Sequence, residues 1–172
     1  RWPAARACVV AVLGKVVRFV VLSWVCGVAV DAARQCDAFA SAVSVPMVAV
    51  FRFLDICNHY PPSYVGDAGV GMLGYIKTLF DDADLIIAVN VRFGECTTDG
   101  YSLFECPTMN AKLIHCHPSD NELGKIYAPD LSLQASPNAM ATALASIQVA
   151  DDARRLDLLR AAKAAYAASS RV

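Results

Sequence analysis

Residues 82–101 read DADLIIAVNVRFGECTTDGY, and residues 112–137 read KLIHCHPSDNELGKIYAPDLSLQASP. Each stretch opens on a short run rich in apolar residues, Asp84–Val89 (DLIIAV) and Lys112–His117 (KLIHCH), and passes into Gly, Pro, Asp or Asn. Runs of that length, without regular polar alternation, read as strands buried on both faces, as the strands of a parallel sheet are. Working outward, Val20–Trp24, Met47–Phe51, Ser63–Val65 and Leu131–Ala135 supply further strands. Pro46 fits at a strand start, where a missing amide donor is tolerated. Helices fall between them: Ala4–Val17 behind Pro3, Asp31–Val43, Tyr75–Asp82, a turn over Glu122–Ile126, and Ser136-Pro137 leading to Ile147. In the second helix, Ala32, Cys36, Phe39 and Val43 recur at spacings of three and four. Strands alternating with helices predict a doubly wound α/β domain, a parallel sheet with helices on both faces.

The chain has 172 residues, 56% of them hydrophobic and 18% charged, which suits one packed domain and excludes disorder. A net charge of −1 leaves no global basic field for a nucleic-acid backbone. Seven cysteines, an odd number without a C-x-x-C pair, read as reduced thiols of a cytoplasmic protein. Residues 8–30 are long enough to span a bilayer, but Lys15 and Arg18 near the middle and Gly14 argue for a helix followed by a strand instead. Arg1 in place of Met suggests a processed or excised piece.

An open parallel sheet binds ligands beyond the carboxyl ends of its strands, so the loops after Trp24, Phe51, Val89 and His117 are the candidate places. Ser23-Trp24-Val25-Cys26-Gly27 holds one glycine, so the dinucleotide fingerprint is absent and Trp24 would obstruct a phosphate. Gly66, Gly69, Gly71 and Gly74 let a backbone approach a ligand or serve turns. Gly66-Asp67-Ala68 followed by Asn90 imitates a magnesium-diphosphate signature; the other reading is turn glycines with a capping Asp. Arg92 either clamps a phosphate or pairs with Glu95. His115 and His117 would share one strand face with Cys116 on the other, which offers two metal ligands or ordinary strand packing. No Ser/His/Asp or Cys/His arrangement has supporting context, so no catalytic residue is named.

Taken together with VPMVAVFRFLD (45–55) and PPSYVGDAGVG (61–71), the two opening stretches resemble the central domain of thiamine-diphosphate-dependent enzymes, acetolactate synthase and its relatives above all. The most specific pieces are Ser63-Tyr64-Val65-Gly66-Asp67, Ala83-Asp84-Leu85 leading to Arg92-Phe93-Gly94-Glu95, and His117-Pro118 followed by Glu122-Leu123-Gly124. The resemblance implies a six-stranded parallel sheet of the DHS-like NAD/FAD-binding type, with residues 1–150 as the central domain and 151–172 as a helix toward a third domain. It implies that FAD or ADP, where one is held, meets Gly66, Asp67, Gly69, Gly71, Asn90, Arg92 and His117. Thiamine diphosphate and magnesium belong to the full-length parent, which condenses or cleaves 2-keto acids through flanking thiamine-binding domains. The chain alone is then structural and not catalytic. It departs from the family at Trp24-Val25, Asn90 and His117, which replace a glycine pair, a glycine and an acid where adenosine and diphosphate would sit.

Val9, Val10, Val12, Leu13, Val16 and Val17 leave the first helix almost no polar face. A helix apolar all round is covered on both sides, so the expectation is a homo-oligomer packed through residues 4–17. The final stretch, DDARRLDLLRAAKAAYAASS, reads as a connecting helix that adds little core.

Overall fold

A computed structural model describes residues 2–13, 18–23, 30–50 and 62–170. Six strands form one sheet: β1 (Phe19–Ser23), β2 (Met47–Val50), β3 (Tyr64–Ala68), β4 (Leu85–Val89), β5 (Lys112–His117) and β6 (Leu131–Gln134). Their order is β3-β2-β1-β4-β5-β6, and every neighbouring pair is parallel. The α-helices among the described residues are α1 (Trp2–Leu13), α2 (Val30–Ala42), α3 (Gly74–Asp81), α4 (Pro137–Ala145) and α5 (Ala153–Ser169). The six-stranded α/β architecture expected from the sequence is therefore present.

Strand side chains alternate between two cores. Val21, Met47, Ala49, Leu85, Ile87, Val89, Ile114 and Cys116 pack on one face with Val9 and Leu13 of α1 and with buried residues of α2 and α4. Val20, Leu22, Val48, Val50, Ile86, Ala88 and Leu113 pack on the other with Ile76, Leu79 and Phe80 of α3 and Leu159 and Ala162 of α5. A side chain such as Ile86 or Ile87 contributes roughly 1.5–3 kcal/mol when withdrawn from water. That double coverage is why β4 is apolar along its whole length. The register of β1 against β4 is tied at its start, where the Arg18 amide donates to Asp84 Oδ2 at 3.0 Å and its guanidinium to Oδ1 at 3.0 Å.

Element boundaries shift where local chemistry overrides periodicity. The expected turn over Glu122–Ile126 is a short 3-10 turn at Asp120–Glu122, because Gly124 takes a left-handed φ of 74° and ends it. β3 runs to Ala68, with an extra residue opposite β2 between Met47 and Ala49. Gly66 sits in that irregularity at φ 127°, and a Cβ there would lie 2.7 Å from Tyr75 Oη. Tyr75 in turn donates to Val65 O at 2.8 Å. α5 corrects the expectation of little core: Leu159 and Ala162 are buried, Arg155 Nε donates to Val43 O, and Lys163 Nζ donates to Tyr64 O at 2.8 Å. Val16 and Val17 of the expected first helix, and Trp24 and Phe51 at expected strand ends, lie outside the described residues.

The helix α1 is not covered all round within this chain. Val9 and Leu13 are buried, whereas Ala7, Cys8, Val10 and Ala11 are exposed. No helix among the described residues is long and apolar enough to cross a membrane. Cys8, Cys36, Cys96, Cys106 and Cys116 are not in disulfides, and Cys26 and Cys57 lie outside the described residues.

Candidate functional site

The strand order doubles back between β1 and β4, and the carboxyl ends of such a sheet are where ligands bind. Ser23 Oγ, at the end of β1, is buried and has no hydrogen-bond partner among the described residues. The segments after Trp24 and Phe51, two of the four loops singled out from sequence, lie outside the described residues. The other two, after β4 and β5, together enclose a cavity of about 150 Å³. Arg92, Phe93, Gly94, Tyr101, His115, Glu122, Lys125, Ile126 and Tyr127 line it.

The floor is aromatic. Phe93 lies edge-on to His115 at 5.1 Å and to Tyr127 at 5.4 Å between ring centroids, and Phe104 meets Tyr127 at 5.7 Å. His115 is 1% exposed, and its Nε2 stands 2.9 Å from Val91 O. A carbonyl can only accept, so Nε2 carries the proton and Nδ1 holds a lone pair. Nδ1 is buried and has no hydrogen-bond partner among the described residues. Burial, foremost, pushes the His115 pKa below its ordinary value, the nearby His117 adds to this, and the Val91 bond and Glu122 oppose it. The imidazole is therefore neutral at pH 7. Burial raises the Tyr127 phenol, against an opposing influence from Thr98.

The rim is charged. Glu122 Oε1 lies 3.3 Å from Lys125 Nζ and 3.9 Å from Arg92 Nε. The sequence reading offered Arg92 a phosphate or Glu95 as partner; in the fold Glu122 stands 3.9 Å from it, carried across the end of β4 by the turn after β5. Two cations around one carboxylate give the mouth a positive bias.

Of the residues expected to meet FAD or ADP, only Arg92 lines this cavity. His117 lies just beyond it, its Nδ1 accepting from the Ser119 amide at 3.0 Å, so the ring is turned into its own turn. Asn90 ends β4 with a left-handed φ of 57°. Gly66 and Asp67 belong to β3 and Gly69 and Gly71 to the turn after it, at the far edge of the sheet. β2 and β1 stand between Asp67 and Asn90, three strand spacings of about 4.8 Å each. Gly69 O accepts from Met72 N at 3.0 Å and Gly71 takes φ 79°, so these glycines serve a turn. No group of three His, Cys, Asp or Glu side chains able to hold a metal stands together among the described residues. His115 and Cys116 do face opposite cores, as strand alternation requires, and Cys116 is buried, its thiol pushed up to about 12. Tyr101, Glu122, Lys125 and Tyr127 were not foreseen as site residues, and His115 was read only as one of two metal ligands or as strand packing. The signal was available only for His115, in the alternation of β5.

Comparison with known proteins places this architecture. Over 102 residues the chain is 28% identical to the acetolactate synthase large subunit of Cyanidium caldarium, a match covering 59% of this chain and 17% of that relative. The chain therefore spans only a small part of the length of that relative. Residues 9–144, most of the chain and all six described strands in full, match the family described as thiamine pyrophosphate enzyme, central domain. With the parallel six-stranded sheet and the cavity at its carboxyl ends, this chain belongs to the family of thiamine pyrophosphate enzyme central domains.

Proposed function

We propose that this chain serves an acetolactate synthase-like enzyme as a structural, oligomer-forming central domain without catalysis of its own. The observation that carries the reading is the outer face of α1. Ala7, Cys8, Val10 and Ala11 are all exposed there, Val10 at 42%, and residues 7–13 include no charged side chain. An uncharged helix face is costly in water and inexpensive against a second copy of itself. In the parent, thiamine diphosphate and magnesium bind to the flanking domains, and the setting is the cytoplasm, which cysteines outside disulfides favour. The test is light scattering of the purified chain, together with an assay for consumption of a 2-keto acid in the presence of thiamine diphosphate and magnesium. Assembly without turnover supports the reading. Turnover by the chain alone overturns its non-catalytic part.

A second reading, an FAD- or ADP-binding module, is favoured by the buried, unpartnered Nδ1 of His115 in a cavity that Arg92 also lines. The room is limiting: about 150 Å³ suits one ring-sized group, whereas sites for whole small molecules run to roughly 300–1,000 Å³. Only one end of a nucleotide fits between these residues. Thermal denaturation with FAD and with ADP tests it, a raised melting temperature supporting the module and no shift with either ligand removing it.

A further inference from the structure

The cavity has a rim residue in an unusual backbone state. Asp99, Gly100 and Tyr101 take three successive left-handed conformations, with φ of 51°, 70° and 63°. Glycine adopts that region freely and Asp tolerates it, but a bulky Tyr does so only when its surroundings hold it there. Here they do. Thr98 Oγ1 donates to Gly94 O at 2.9 Å and accepts from the Tyr101 amide at 3.2 Å, and the Gly100 amide donates to Glu95 O at 2.9 Å. From outside the loop, Lys77 Nζ on α3 bonds Asp99 Oδ2 at 2.5 Å. The result places the Tyr101 side chain against the cavity while leaving the residue 47% exposed, unlike the buried Phe93, His115 and Tyr127 of the floor.

We propose that Tyr101 is a gate over this cavity, latched by the Lys77–Asp99 pair, and that behind it His115 Nδ1 is the acceptor offered to a small, ring-sized ligand bearing an N–H or O–H donor. A phenol ring at the mouth narrows access to the aromatic floor, and a buried, unpartnered lone pair forms a strong hydrogen bond with whatever donor reaches it. A left-handed Tyr held by hydrogen bonds inside its loop and by one ion pair from outside it is a two-state element: with the latch broken, the turn loosens and the ring leaves the mouth. The gate does not depend on whether a nucleotide binds.

The test uses the whole chain and diethyl pyrocarbonate, which acylates neutral imidazole. The N–C bond forms as ethyl carbonate leaves, and the ring gives up its other proton. Labelling of His115 and His117 is followed separately by peptide mass spectrometry. Tyr101→Asn removes the ring but suits the left-handed backbone, and it should raise the His115 labelling rate roughly tenfold, as local opening becomes easier. Tyr101→Phe should keep the original rate, and Lys77→Met should raise it with the ring still present. His117, whose Nδ1 is held by Ser119, is the internal reference and should not change. A Tyr101→Asn rate equal to that of the unaltered chain overturns the gate, as does a parallel rise at His117; an unchanged Lys77→Met rate overturns the latch.

Discussion

Asp37 on α2 is 8% exposed, and its Oδ1 is buried with no hydrogen-bond partner among the described residues. Burial pushes its carboxyl up to about 6 from an ordinary 3.8. An acid whose folded-state pKa is raised binds protons more tightly in the folded chain, so this group destabilises the fold wherever it is ionised. The destabilisation is absent below about pH 3.8, grows between there and pH 6, and is complete above. A change from 3.8 to about 6 corresponds to about 3 kcal/mol. Asp37→Asn keeps the shape and polarity of the protonated acid without the charge. It should therefore stabilise the chain by up to about 3 kcal/mol near pH 7.5 and by almost nothing near pH 4, as measured by urea denaturation. Every other titrating group is common to both proteins and cancels in the difference. A variant no more stable near pH 7.5, or one whose gain is the same at both pH values, would refute the reasoning.

Three other outcomes follow from the packing. Gly66→Ala should cost about 1–3 kcal/mol through its positive φ and the close approach of Tyr75 Oη, and Tyr75→Phe in the same chain should recover part of the loss in a double-mutant cycle. Leu159→Ala should cost roughly 2–4 kcal/mol in thermal or urea denaturation if α5 is part of the domain core; a loss under about 0.5 kcal/mol would leave α5 as a connecting helix only. Val10→Asp should lower the mass measured by light scattering with little effect on the stability of the separated chain, because that side chain is exposed; an unchanged mass would move the interface elsewhere.

How much was legible in the sequence depended on whether neighbours or distant loops decide the feature. β4 and β5 were readable because a strand covered on both faces must be apolar on both, and Lys112–His117 was bounded as observed. The helix α5 was misjudged because its buried Leu159 and Ala162 stand among alanines that look alike on every side, so composition hides which face is covered. Gly66 was read as a ligand or turn glycine; its requirement comes from Tyr75, nine positions on, whose hydroxyl occupies the space a side chain would need. In the site, His117 was named as a nucleotide contact, whereas His115 was read only as a metal ligand or as strand packing. Alternation puts His115 on the same face as Phe93 and Tyr127, but that those rings meet there is decided by two loops folding over the strand ends. Tyr101, Lys125 and Tyr127 sit in such loops, where no periodicity announces them.

Light scattering coupled to size exclusion, on the purified chain at micromolar concentration, decides whether the domain assembles. A domain that assembles through α1 should show a mass of at least twice 18.4 kDa. A stable species of 18.4 kDa across the concentration range would contradict it.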